Sequence, residues 1–452
     1  MRILVLQFIP GVRGRPVPRF EPQLATLLAL LERRAHVLTL EGLPRYDLAR
    51  TKAALARGLP QLVYADISPL CVDAARRTLE HIAQHEFLPI VAGGTYATID
   101  PAAALSLPGV RAVATGEPDA SLVTYFERIK DPAVGQIVLG VWLRDERGLA
   151  RPELPPLVED LNSLPFPHRE LFNYAEYVRR TGQVEIAVGR GCPQHCAYCI
   201  NERLTELYQG RGVWIRRRSP PHVLAEIAQL RTRYAGVRLV RFLDHALALD
   251  REWLSGFLEA YKRQCDLPFR CHLRANATDE ETVRRIADAG GRFADLEVIS
   301  ASDFVRNEVF DMDLGNEQIR ATFAWLKAAG MHTRAIVYLG APYESEASLA
   351  ETRSLLLELK PDVADVRAYY PWPGTRARDL SHEHGWLHAR GEEQYHHDSG
   401  GIDMPACRAA AVAAFIRRLR HELPVEVGEP WWRRWPAASV TALGRVFQRR
   451  RP

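Results

Sequence analysis

The chain of 452 residues holds no apolar run approaching the ~18 residues a membrane-spanning helix needs. Its opening run, Met1-Arg2-Ile3-Leu4-Val5-Leu6-Gln7, stops at Pro10, too short for the core and cleavage site of a secretory leader. Cysteine is scarce: seven residues, odd in number and without framework spacing, which argues for a reducing compartment. A strong charge of one sign is missing too. Lysine and arginine number 59 against 55 acidic residues, a net charge of +4, so composition gives no sign of a nucleic-acid binder. These absences together predict a cytoplasmic protein. What remains, 47% hydrophobic and 25% charged residues, suffices for two or three domains with a sizeable core.

Three of the seven cysteines stand together in Gly189-Arg190-Gly191-Cys192-Pro193-Gln194-His195-Cys196-Ala197-Tyr198-Cys199. Three thiolates on one tight loop can hold three irons of a cubane [4Fe–4S] cluster, leaving the fourth iron open to a chelating substrate or cofactor. Zinc is an alternative, but it usually takes four ligands from paired C-x2-C or C-x-H units. The remaining cysteines, Cys71, Cys265, Cys271 and Cys407, are scattered, and His195 lies inside the loop, awkward for the same metal. A chance group of structural cysteines is the third reading.

Residues 1–130 alternate short β-rich runs with helix-length segments. Ile3–Phe8, Val37–Leu40, Gln61–Ile67, Leu88–Ala92 and Arg111–Thr115 are strand candidates, with helices near Pro22–Arg34 and Val72–Gln84. Near-continuous apolar strands with helical crossovers predict a doubly wound, Rossmann-like parallel sheet whose ligand lies at the strands' carboxyl ends. Ser68-Pro69-Leu70 and Gly93-Gly94-Thr95 follow two of those strands. The serine offers a hydroxyl to a nucleotide tail, and the glycines let backbone approach a large ligand. Residues 131–183, rich in proline around Leu154–Pro167, predict an extended linker. From 184 to 387 the βα rhythm resumes, with strand candidates Glu185–Val188, Val237–Leu243, Phe269–Arg274, Leu296–Ile299, His332–Leu339 and Val366–Tyr369. His222–Tyr234 and Asn316–Ala329 are among the helical segments between them. Six strands predict a partial (βα)6, TIM-like barrel with chemistry at its carboxyl ends. Residues 388–452 form a C-terminal extension, expected to be small and helical. Its end interleaves Trp431, Trp432 and Trp435 with Arg433, Arg434, Arg445, Arg449, Arg450 and Arg451. Such a tail could touch a membrane surface, or its tryptophans could pack on the catalytic domain with the last arginines solvated.

The cysteine spacing, with Tyr198 just before the third cysteine, resembles the signature of the radical S-adenosylmethionine (SAM) superfamily. That resemblance implies a [4Fe–4S] cluster on Cys192, Cys196 and Cys199, whose open iron binds the amino and carboxylate groups of SAM. Reduction by a donor such as flavodoxin or ferredoxin then cleaves SAM to a 5′-deoxyadenosyl radical. Further motifs follow in the family's order: Arg218-Ser219-Pro220 with Glu226, Tyr338-Leu339-Gly340-Ala341-Pro342-Tyr343-Glu344-Ser345, and Pro371-Trp372-Pro373-Gly374-Thr375. The run Val91–Pro101, continuing to Val113–Pro118, looks like the cobalamin-binding domain that precedes many radical SAM domains. Asp160-Leu161-Asn162-Ser163-Leu164-Pro165-Phe166-Pro167 is phrasing shared with the same group. By this resemblance Ser68, Leu70, Gly93, Gly94 and Thr95 would meet cobalamin. Tyr198 (through its backbone carbonyl), Arg274, Glu297 and Gly340 would meet SAM. Asp244 and His245 could be acid–base residues facing substrate.

Two departures stand out. The loop after the first strand, Gln7-Phe8-Ile9-Pro10-Gly11-Val12-Arg13-Gly14, lacks the histidine of Asp-x-His-x-x-Gly that ligates cobalt in corrinoid mutases. Many cobalamin-linked radical SAM proteins lack it as well. The family's Gly-x-Glu-Ser-Gly-Ser reads Asp295-Leu296-Glu297-Val298-Ile299-Ser300, which keeps the glutamate and replaces the small residues after it. The resemblance implies a cobalamin-dependent radical SAM methyltransferase acting on an unactivated carbon of a small molecule or lipid. Cyclisation, rearrangement or oxidation with the same cofactors, and an iron–sulfur redox or scaffold protein, are the alternatives.

Overall fold

The computed structural model describes residues 1–11, 18–130, 137–145, 148–245, 247–387 and 400–424. They fall into two compact units, one made of residues 1–176 and 203–214, the other of the remaining described residues.

The first unit is built on β1 (Arg2–Phe8), whose residues after Arg2 are all buried. Such a run can be stable only inside a sheet covered on both faces. It is followed by α1 (Pro22–Arg33), β2 (Val37–Gly42), α2 (Leu48–Gly58), β3 (Leu62–Ile67), α3 (Val72–His85) and β4 (Ile90–Gly93). Next come α4 (Gly94–Ile99), α5 (Pro101–Leu105), β5 (Val110–Ala114) and α6 (Pro118–Arg128). Local chemistry sets several starts: Asp47 accepts the Arg50 N–H ahead of α2, and prolines open α1, α5 and α6. The strands lie in the order β2-β1-β3-β4-β5, all parallel. The chain reverses its direction of growth between β1 and β3, and the carboxyl ends there form the crevice where doubly wound sheets take ligands. All five parallel strands expected from the sequence are present.

Residues 131–183, expected to be an extended linker, supply two further strands. β6 (Val141–Asp145) and β7 (Gly148–Ala150) extend the sheet antiparallel from β5. Their signal is weak because only Val141 and Leu143 alternate toward the core before the chain turns back. The proline-rich part that follows stays extended, and Leu157 N–H donates to Arg211 O at 2.9 Å.

The second unit opens with α7 (Tyr174–Thr181), which begins in the first, and β8 (Gln183–Ile186). β9 (Gly189–Arg190) leads into the cysteine loop and α8 (Ile200–Leu207), which ends in the first unit, and β10 (Arg216–Arg217) pairs back onto β9. Then follow α9 (Pro220–Arg233), β11 (Leu239–Phe242), α10 (Arg251–Gln264), β12 (Phe269–Leu273), α11 (Glu280–Asp288) and β13 (Gly291–Ile299). The unit continues with α12 (Asn316–Ala328), β14 (His332–Leu339), α13 (Glu346–Leu359), β15 (Val363–Ala368), α14 (Arg376–Glu383) and α15 (Ala409–Glu422). Six parallel strands run β8-β11-β12-β13-β14-β15, each beside its successor, which is the expected partial barrel. Helix α15, in the C-terminal extension, packs on β15. The Trp–Arg tail of the sequence reading lies outside the described residues. Among the described residues no helix is long and apolar enough to cross a membrane.

One layer of the barrel interior is charged. Arg270 grips Asp295 bidentately at 2.7 and 2.9 Å, and Arg334 reaches Asp365 at 2.7 Å. Arg241 meets Glu185 at 2.9 Å. Alternation along each strand aims these side chains inward, so they close the barrel below the catalytic end.

Candidate active site

The cysteine loop leaves β8 at the carboxyl edge, and its backbone is fastened on several sides. Val188 N–H donates to Asp244 Oδ2 at 2.7 Å, and Arg218 N–H donates to Val188 O at 2.8 Å. Arg218 also donates through Nη1 to Ala187 O at 2.9 Å and pairs with buried Glu226 on α9. This is what the Arg-Ser-Pro…Glu stretch does here: it anchors the exit of β8. Ala197 N–H donates to Phe310 O at 2.9 Å, and Ala197 O accepts from Ala377 N–H at 3.0 Å. A loop held in this way keeps three thiols on one short arc.

Cys196 is buried, and Cys192 and Cys199 are half-buried. Burial pushes all three thiols up, Cys199 to about 12. Thiols so placed become thiolates only when a soft cation repays the desolvation, as the donor set of an iron–sulfur cluster requires. Arg274, just past β12, lies with Nη1 3.5 Å from Cys196 Sγ and 3.0 Å from Glu297 Oε2. Its Nε and Nη2 are buried with no hydrogen-bond acceptor among the described residues. Unmet guanidinium donors beside the cysteines fit the carboxylate of a bound amino acid moiety.

Glu297 on β13 is the hub. Its carboxyl sits well below the ordinary range despite burial, because His245, His272 and Arg274 surround it. His272 Nε2 lies 3.2 Å and His245 Nδ1 3.7 Å from Glu297 Oε1, and the two imidazole centroids are 4.4 Å apart. Burial and the neighbouring His245 push His272 down. The sequence reading missed His272. Its signal was the alternation Arg270, His272, Arg274 along one strand, three polar residues on the inward face of an otherwise apolar run.

Beyond Glu297 the backbone departs from regular β structure. The register with β14 shifts between Glu297 and Ile299, and Ile299 takes φ +63°. That conformation suits the glycine found at the corresponding place of the related motif, and it costs a β-branched residue roughly 1–2 kcal/mol. Val298 and Ile299 are fully buried. Buried Arg306, in the π-helical turn Phe304–Val309, then holds Ser300 O and donates to Leu314 O at 2.8 Å.

The other expected site residues have definite places. Asp244 is engaged by Val188 N–H and lies 3.6 Å from Arg217, so it is a loop anchor in this structure. His245 beside it has a side chain 68% exposed and faces Glu297. The Tyr198 ring packs against Phe310 at 4.9 Å and Tyr338 at 6.0 Å, and burial keeps its phenol protonated. Gly340 ends β14, and its N–H donates to buried Glu344 Oε2 at 2.5 Å. Glu344, unused in the sequence reading beyond its motif, also accepts from Ala341 N–H at 3.2 Å and Ser300 Oγ at 3.1 Å. It ties the end of β13 to that of β14.

In the first unit, Ser68 N–H donates to Phe8 O at 2.8 Å, joining the ends of β1 and β3 at the switch point. The Ser68 hydroxyl is half-exposed, Leu70 is buried beneath it, and Thr95 is exposed at the adjoining edge. The bareness of Gly93 and Gly94 is used by the chain itself. A Cβ on Gly93 would stand 2.3 Å from Tyr64 Oη, and one on Gly94, at φ +85°, 2.7 Å from Asp66 Oδ1. Asp66 is a further residue at this edge, its carboxyl pushed up to about 7 by burial and by Glu21. Gln7, where the corrinoid-mutase loop begins, is fully buried; its amide donates to Arg19 O and accepts from Arg19 N–H, each at 2.8 Å. Residues 12–14 of that loop lie outside the described residues.

A parallel partial barrel with three cysteines, an arginine and a glutamate converging at its carboxyl end is the architecture of a radical SAM domain, and residues 186–356 match the radical SAM superfamily. Over that stretch the chain is similar to the superfamily. It is similar to an uncharacterized methyltransferase of Pyrococcus horikoshii, 24% identical over 64% of this chain and 61% of the relative. An anaerobic magnesium-protoporphyrin IX monomethyl ester cyclase of Cereibacter sphaeroides is 24% identical over 63% of this chain and 47% of the relative. The chain thus spans between about half and three-fifths of the length of these curated relatives. Among solved structures, the radical SAM methyltransferase TsrM of Kitasatospora setae, with tryptophan and a SAM analogue bound, superposes with a TM-score of 0.65. The match covers 86% of this chain and 78% of TsrM at 17% identity, so the likeness is one of fold.

Proposed function

We propose that the protein is a cobalamin-dependent radical SAM methyltransferase that methylates an unactivated carbon of a small-molecule or lipid substrate. The observation that carries this reading is the convergence of Cys196, Arg274 and Glu297 beside a C-x3-C-x2-C loop fastened by backbone bonds. Both methyltransferase likenesses support it, as does a doubly wound first unit with an accessible switch-point edge.

Cys192, Cys196 and Cys199 hold three irons of the cluster in this reading. Arg274 takes the SAM carboxylate through its unmet donors, Glu297 orients the guanidinium, and the Tyr198 carbonyl and Gly340 border the adenosyl part. Ser68, Leu70, Gly93, Gly94 and Thr95 form the cobalamin edge. Once bound, the cluster, SAM and cobalamin supply one-electron cleavage of SAM and transfer of a methyl group to carbon. The protein's own share is positioning and exclusion of water, with flavodoxin or ferredoxin as the class of electron donor.

A second reading keeps the cofactors without methyl transfer, and similarity to the cyclase favours it. Anaerobically purified protein assayed for iron, sulfide and cobalt, with mass spectrometry of SAM products, separates the cases. Cobalamin-dependent S-adenosylhomocysteine is expected. 5′-Deoxyadenosine without it points to the second reading, and neither product leaves an iron–sulfur redox or scaffold protein.

A further inference from the structure

The mouth of the barrel contains a group of donors of which the cluster and SAM account only for Glu297 Oε2, through Arg274. Glu297 presents its two oxygens to different partners. Oε2 faces Arg274 at 3.0 Å, on the side of Cys196, whereas Oε1 faces His272 at 3.2 Å and His245 at 3.7 Å. The three donor atoms, one from each of His245, His272 and Glu297, lie within 4.8 Å of one another.

A histidine–carboxylate contact at this distance is compatible with a shared cation as well as with a direct hydrogen bond. His272 Nε2 is buried and, among the described residues, forms no well-aligned hydrogen bond despite its approach to Oε1. Three ligand atoms this close together can converge on a single cation. For a tetrahedral cation with ligands at roughly 2.0–2.1 Å, neighbouring donors stand about 3.3 Å apart, and the two separations from Oε1 bracket that value. Two imidazoles and one carboxylate are borderline donors suited to zinc or iron(II).

The scaffold holds the donors rigidly. His272 is on a central strand and 6% exposed, Glu297 is on the next strand and 7% exposed, and the strands pair in fixed register. Asp244, locked to Val188 N–H, fixes the backbone that delivers His245. Only His245 is exposed, so a fourth position would open toward the barrel mouth.

We infer that His245, His272 and Glu297 form a mononuclear divalent-cation site with one open position, distinct from the cysteine site. A cation there would seat an anionic oxygen of a substrate, such as a carboxylate or phosphate, beside the radical chemistry. The site itself does not require the methyl-transfer reading; only the use suggested for its open position does.

Full-length protein with its cluster reconstituted is loaded with zinc, desalted, and analysed for zinc, iron and sulfide. About one zinc per chain is expected in the parent. Zinc affinity should fall at least about 10-fold in His245→Ala and be lost in His272→Ala, with iron and sulfide unchanged. Exposed His245 can be replaced without threat to folding, and cobalt(II) loading with electron paramagnetic resonance provides a second readout of the same ligands. Zinc absent from the parent, or retained equally by both variants, would overturn the inference. Iron and sulfide absent throughout would instead sink the cluster reading.

Discussion

Two buried carboxyls of the barrel mouth behave oppositely. Glu344 receives three hydrogen bonds, yet burial without a cation pushes it up to about 7. An acid raised on folding holds its proton more tightly in the native state. Its contribution favours folding below the ordinary value of 4.5 and is lost as pH rises through 7. Glu344→Gln should therefore flatten the decline in stability between pH 5 and 8, by about 1–3 kcal/mol at the upper end. Thermal melts across that range check it, and parallel curves for parent and variant would count against it. Glu297 is held low instead, since Arg274 and two histidines stabilise its charge. Glu297→Gln keeps the shape and removes that charge, so SAM binding should weaken roughly 10-fold with iron content unchanged. Equilibrium dialysis with SAM on the reconstituted variant tests this.

At the scale of elements, the strands of the barrel carry two kinds of inward residue. Near the catalytic end are His272, Arg274 and Glu297; one layer further in, Arg270, Asp295, Arg334 and Asp365 pair among themselves. Asp295 is held well below the ordinary carboxylate range by Arg270 and Arg334, against the opposing effect of its burial. Asp295→Asn would leave two buried guanidinium groups short of their counter-charge. A loss of about 3–5 kcal/mol in unfolding free energy is expected from urea titration, and a loss under 1 kcal/mol would show that the layer is not cooperative. Ile299 illustrates how an element can keep its path with an unsuited residue. The strand end bends as a glycine would, because Val298 and Ile299 are packed on all sides and Arg306 holds Ser300 in place. Sequence comparison by residue type flags this stretch as a departure, whereas the backbone still takes a turn that suits glycine.

For the whole molecule, each unit has its own sheet and, in the proposed reading, its own cofactor edge. Replacing Cys192, Cys196 and Cys199 by alanine should abolish iron binding and leave cobalamin retention unchanged, read from cobalt content and the corrin absorption spectrum. Loss of both together would show that the two sites are coupled. The six barrel strands and five parallel strands were legible because buried parallel strands are short apolar runs separated by helices, a local pattern. The cysteine loop proposed to hold the cluster was legible for a similar reason, since C-x3-C-x2-C needs no knowledge of distant residues. Strands β6 and β7 were not, being short strands added antiparallel at one end of the sheet, with β7 as its edge. Nor were His272, Asp66 and the anchoring duty of Asp244, all of which depend on partners distant along the chain. Sequence by itself thus determined the class of fold, its runs of parallel strands and the cysteine loop, because periodicity and close spacing are local. Only the tertiary structure decided which carboxyls meet cations and which stand alone, because burial and charge pairing arise between residues that are far apart along the chain.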